Sequence, residues 1–177
     1  EVCSRRMDSL VKTCPSSARE YQIIKQLFLC MLVITPFELL NQPRSTFVSG
    51  LFGSKNAFTL ALDHMISLYH SAYNEQLFAA HDLAKSWYED IFVPMLNRQP
   101  IFNVDVGHQI EGTTNLMRAW KFNIPREGAL DPLTHIANFI LAHTQQIATT
   151  NTSGQNVLYA CIARRMPARF IEPLIRA

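Results

Sequence analysis

Phe58-Thr59-Leu60-Ala61-Leu62-Asp63-His64-Met65-Ile66-Ser67-Leu68-Tyr69-His70-Ser71-Ala72-Tyr73 is the stretch from which the fold class is read. Phe58, Ala61, Leu62, Met65, Ile66, Tyr69, Ala72 and Tyr73 recur at three- and four-residue spacing, which places them on one side of a helix. The pattern resumes in Leu77, Ala80, Ala84, Trp87, Tyr88, Ile91 and Met95. Spacing alone leaves open whether Asn74 divides one long helix into two. Pro94 and Pro100 are expected to end the segment, because proline lacks the amide that continues a helix.

Working upstream, Ser17-Ala18-Arg19-Glu20 has the capping-box spacing, in which hydroxyl and carboxylate satisfy orphan amides at a helix start. A helix over 17–34 is expected, apolar all round after Leu27. Thr35-Pro36-Phe37-Glu38 reads as a fresh start, with Thr35 as cap and Pro36 in the first helical position. Pro43, Ser45, Ser49, Gly50, Gly53 and Ser54 mark a loop, with a short extended piece at Thr46 to Val48. Downstream, Phe102 to Val106 alternates with period two and is the only convincing strand candidate: an isolated extended segment, a hairpin with Thr46 to Val48, or an edge offered to a partner. Short helices are expected from Thr114 to Phe122, after Asp131-Pro132, from Gln155 to Arg164, and from Ala168 to Ile175 behind Pro167. The fold expected is therefore all-α: a single compact domain over 1–177, with six to eight helices and at most a short strand or hairpin. The chain opens on Glu1, not Met, so a piece of a longer protein is also consistent with it.

A length of 177 residues supports a core without disulfides or metal. Charged residues are 17% against a usual quarter, which excludes a disordered tail and points to more apolar surface than one monomer needs to bury. The formal charge of +2 is too small to recruit nucleic acid or membrane by bulk electrostatics. Charge is uneven, however. Asp63, Glu75, Asp82, Glu89 and Asp90 make the middle acidic, while Arg164, Arg165, Arg169 and Arg176 face only Glu172 at the end. The apolar run Leu27 to Leu40 contains Pro36 and Glu38 and is too short to span a membrane.

Cys30 and Cys161 sit in apolar runs and read as small buried hydrophobes; Cys3 and Cys14 flank a short amphipathic stretch and are a possible bridge in an oxidising setting. No CxxC pair is present, and Glu1 through Glu20 lacks a signal-peptide core, so an intracellular setting is the expectation. Asn151-Thr152-Ser153 fits the glycosylation acceptor pattern, which matters only in a secreted chain.

Three groups of residues compete as sites. His81-Asp82-Leu83-Ala84-Lys85, after apolar Leu77 to Ala80, resembles the His-Asp doublet of HD-type phosphohydrolases. That resemblance implies a divalent metal activating water against a phosphate ester, with His81, Asp82 and Lys85 at the reaction centre. It also implies further ligands among His64, His70 and His108, and a distal carboxylate at Asp105 or Asp131. The competing expectation for His81, Asp82 and Lys85 is a solvated helix face with Lys85 paired to a nearby carboxylate. Asp63, Ser67 and His70 align on one side of their helix, where an outer polar face is expected, and His135 and His143 stand two turns apart at a core edge or surface. Gly50 to Lys55 lacks the order of a phosphate loop and reads as a turn. Arg164, Arg165, Arg169 and Arg176, near Tyr159 and Phe170, suit a partner's acidic surface or nucleic acid.

The expected function is a helical structural or interaction module that packs into a larger assembly, without a cofactor and leaning away from enzyme. An HD-like phosphohydrolase is the first alternative and a nucleic-acid packaging protein the second.

Overall fold

The computed structural model describes residues 18–42, 55–74, 78–106, 113–122, 132–163, 165–166 and 168–176, and among these it is all-helical, without a strand. The elements are α1 (Ala18–Ile34), α2 (Phe37–Asn41), α3 (Ala57–Asn74), α4 (Phe78–Trp87), a π-helical turn (Tyr88–Phe92), α5 (Val93–Leu96), α6 (Asn115–Phe122), α7 (Pro132–His143), α8 (Val157–Ala163) and α9 (Ala168–Arg176). They fall into two compact units, one of residues 1–46 and 55–103, the other of 47–54 and 104–177. The expected strand at Thr46 to Val48 lies outside the described residues.

In the first unit α3 packs against α4, while α1 packs against the π turn. Tyr21, Ile24, Phe28 and Leu32 of α1 recur at three and four residues and are all buried. Phe58, Ala61, Leu62, Met65 and Leu68 of α3 and Trp87 and Ile91 beyond it are also fully buried, and Trp87 meets the rings of Tyr21 and Phe28. A second ring cluster joins the far end, where Phe37 stacks edge-on to Phe102 at 4.9 Å and Phe58 to Phe92 at 5.8 Å. The bend after α1 differs by one residue from the expected cap: Pro36, not Thr35, occupies the N-cap of α2 and makes no side-chain cap bond. Arg98 closes the end of α1 by donating to the Leu32 carbonyl at 3.2 Å, with its guanidinium over the Phe37 ring.

Asn56 starts α3. Its Oδ1 accepts the Thr59 amide at 2.9 Å and the Thr59 hydroxyl at 3.0 Å, and its Nδ2 donates to the Asn103 carbonyl at 2.8 Å. At the other end, α3 stops at Asn74 and α4 begins at Phe78, so these are two helices. The expected stop at Pro94 does not occur there. Pro94 has no N–H for the Asp90 carbonyl and its ring would clash with it, and the helix widens to a π turn in which the Val93 amide reaches the Tyr88 carbonyl. Helical geometry then continues through Leu96.

Phe102 to Val106 is not a strand. Phe102 and Val104 are buried and Asn103 exposed, so the alternation is real in burial, but asparagine side chains take the place of a ladder. The Asn103 amide donates to Asn41 Oδ1, and its carbonyl accepts from Asn56. In the second unit, Asn115 Nδ2 donates to the carbonyls of Val104 and Val106, each at 3.0 Å.

The second unit is built around α6, which packs on α7 and α8, with α9 against α8. Leu116, Trp120, Leu133, Ile136, Ile140, Val157 and Cys161 fill its core. Thr114 Oγ1 caps α6 by accepting the Met117 amide, and Asn156 Oδ1 caps α8 by accepting that of Tyr159.

Candidate functional site

Three features of the first unit stand out by burial, charge and exposure. The first is His64, which α3 turns inward with none of its side chain accessible. Its ring lies 4.3 Å from that of Trp87 and stacks on Tyr21 at 6.4 Å, and neither ring nitrogen has a hydrogen-bond partner. Loss of solvent disfavours the imidazolium and pushes the His64 pKa down to about 4. The aromatic box around it is tied together elsewhere: Tyr21 donates its hydroxyl to the Leu83 carbonyl at 3.0 Å, and Trp87 Nε1 donates to the Ala61 carbonyl at 3.2 Å.

The second is a polar latch between α1 and the helix carrying the π turn. Lys25 Nζ donates to Asp90 Oδ2 at 2.7 Å and to Ser86 Oγ at 3.2 Å, and Ser86 Oγ donates to the same carboxylate at 3.1 Å. The hydrogen bond from Lys25 lowers the Asp90 pKa. Beneath α3, Lys55 pairs with Asp63 at 2.7 Å, and both are largely buried.

The third is the outer side of α1. Ile23, Leu27, Val33 and Ile34 are 51%, 46%, 82% and 78% exposed, Leu39 of α2 is also exposed, and so is Cys30, against its expected burial. Gln22 and Gln26 are the exposed polar residues among them.

The residues of the HD-like resemblance are not brought together among the described residues. Asp82 and Lys85 are exposed on α4, with Lys85 3.9 Å from Glu89 one turn on, and His64 is sealed in its ring box. No group of three or more His, Cys, Asp or Glu suited to a metal occurs among the described residues. The side chains of His70 and His81, and all of His108, Asp131 and the Gly50 to Ser54 turn, lie outside them. Asp105 accepts from the Thr144 hydroxyl and from the Gln145 amide at 2.9 Å, which fastens the loop after α7. Asp63 departs from expectation: it is buried on Lys55, not on an outer polar face, because a lysine just ahead of the helix reaches back to it. His135 and His143 are both exposed, and His143 lies over Phe139. The carboxamide oxygen of Asn151 is committed to its own loop, accepting the amides of Ser153 at 3.0 Å and Gln155 at 2.9 Å.

Among the C-terminal arginines, Arg164 and the side chain of Arg169 lie outside the described set, and Arg176 is exposed 3.5 Å from Glu172. Arg165 is exposed and ends α8 in the left-handed region at φ 53°. Its amide reaches the Ile162 carbonyl, and that of Met166 reaches Cys161, the pairing of a Schellman ending in which glycine is usual. Arg165→Gly is therefore expected to stabilise the chain by about 1 kcal/mol. Urea unfolding at constant ionic strength measures it, and a loss of stability would mean that the arginine side chain holds the turn.

No family model, no curated protein and no solved structure matches this chain.

Proposed function

We propose that this chain is a helical interaction module whose contact surface is the outer side of α1. One observation carries the reading. α1 has two apolar stripes: Tyr21, Ile24, Phe28 and Leu32 bury themselves in the core, and Ile23, Leu27, Val33 and Ile34 remain open to solvent on another side. A helix that is apolar on both sides is ordinarily covered on both sides. Scattered single exposed hydrophobics need no explanation, but a run of them along one helix marks a surface that meets another molecule. The sparse charge of the chain as a whole is consistent with this, since buried contact surfaces are depleted in charged residues.

The test is whether that stripe is free of folding duties and available to an apolar probe. Val33→Lys and Ile34→Lys are each expected to shift stability by less than about 0.5 kcal/mol, because solvated positions tolerate substitution. Binding of an anilinonaphthalene dye to dilute native protein is expected to fall by at least about half in the double variant. Unchanged dye binding, or unfolding of either single variant, would remove the contact surface from α1.

A further inference from the structure

We infer that the partner of this surface is a second copy of the same chain, packed antiparallel along α1 about a two-fold axis near residues 28 and 29; the inference rests on reading α1 as the contact surface. Ile23, Leu27, Cys30 and Ile34 follow one another at intervals of four, three and four residues. That spacing is the seam of a helix that meshes with another helix, and all four positions are exposed.

Charge permits a like partner. Between Ile23 and Ile34 the exposed residues are Gln26, Leu27, Cys30 and Val33, none of them charged, so the seam laid on its own copy meets no like-charge repulsion. Charge also selects the direction. Exposed Arg19 stands four residues before Ile23 on α1, and exposed Glu38 lies on α2, just past the bend that ends α1. The antiparallel register that sets Ile23 against Ile34 and Leu27 against Cys30 brings Arg19 of each copy to the end of the other that carries Glu38. A parallel register would set Arg19 against Arg19. Opposed helix dipoles favour the antiparallel choice as well, since each positive N-terminus then lies beside a negative C-terminus.

The area suffices for a modest complex. Complete burial of the open stripe, Val33 included, would remove roughly 400–500 Å2 per copy, so the pair buries at most about 1,000 Å2, the lower limit of specific association. An interface at that limit belongs with weak, concentration-dependent complexes.

Sedimentation of the full chain under reducing conditions, from about 1 to about 300 µM, tests the inference. A monomer–dimer equilibrium is expected, weakened at least about tenfold by Leu27→Glu and by Ile34→Lys, with the unfolding midpoint of dilute protein unchanged. Arg19→Glu and Glu38→Arg are each expected to weaken it about threefold, and the two together to restore it. A dimer indifferent to both seam variants overturns the inference by placing the contact elsewhere. Seam-dependent dimers without rescue by the charge swap overturn the antiparallel register. A monomer throughout overturns the second copy as partner, and the dye measurement then separates the two failures: dye binding lost in the Val33 and Ile34 double variant leaves α1 a contact surface for some other chain, and its absence in both removes that too.

Discussion

Lowering the pH from 7.5 to 4.5 is expected to cost the first unit about 2–3 kcal/mol of stability through His64 alone. The folded pKa near 4 lies below the ordinary value of 6.5, so between those limits the unfolded chain binds a proton that the folded chain refuses. Stability is thus complete above about pH 6.5 and drains away as the pH falls toward 4. The size of the effect follows from the setting: an imidazole with no accessible surface, set among Tyr21 and Trp87 and with no acceptor at either nitrogen, offers the extra charge nothing. Other ionisable groups nearby act in a different window. Asp90, whose pKa is lowered by Lys25, contributes stability that is present above its usual 3.8 and lost only below it. Urea midpoints measured by far-ultraviolet dichroism at several pH values check the claim, with His64→Phe as the comparison. The variant is expected to lose most of the slope between pH 6.5 and 4.5 and to hold its stability at neutral pH, since it removes an unpaired buried polar group. Parallel curves for the two proteins would show that the proton goes elsewhere.

Trp87→Ala carries the second large effect, a loss of about 4 kcal/mol. The indole has no exposed surface, meets Phe28 edge-on at 5.3 Å and Tyr21 at 6.4 Å, and donates to the Ala61 carbonyl. It is the side chain through which α1, α3 and α4 share one core, so its removal leaves a cavity walled by three helices that cannot all close upon it. Domains of this size are stable by only about 5–15 kcal/mol, and the variant is expected to unfold at a much lower urea concentration. Trp87→Phe keeps the ring contacts and gives up the hydrogen bond, for a loss of about 1–2 kcal/mol. A Trp87→Ala protein within about 1 kcal/mol of the parent would show that the three helices are held together by other contacts.

The helices were legible chiefly through a periodic apolar face, reinforced at some of them by a local start signal. Phe58 through Tyr73 and Leu133 through Leu141 announce themselves in this way. What escaped reading depends on residues distant in sequence. That His64 is buried follows from Tyr21 and Trp87, which stand 43 positions before it and 23 after it. Asp63 looked solvated because its partner Lys55 precedes the helix. Pro94 was legible as a disturbance, but a helix pinned on both sides by Ile91, Phe92, Met95 and Leu96 absorbs it by widening instead of stopping. The all-round apolar character of α1 was plain from Leu27 onward; which of its sides lay open became plain only once the core had taken Phe28 and Leu32. The His81-Asp82 doublet reads as chemistry in one dimension, yet Asp82 and Lys85 face water without a gathered set of ligands among the described residues.

The asparagines that hold Phe102 to Val106 also act as a safeguard. Ile101-Phe102-Asn103-Val104-Asp105-Val106 combines β-branched and aromatic residues with a single charge, the composition of a segment that stacks readily into fibrils when its backbone is bare. Asn41 holds the Asn103 amide, Asn56 the Asn103 carbonyl, and Asn115 the carbonyls of Val104 and Val106 in the folded chain. Loss of the Nδ2 donor at Asn56 or Asn115 would bare the carbonyls of Asn103, or of Val104 and Val106, so two side chains outside the strip guard it against pairing with another chain.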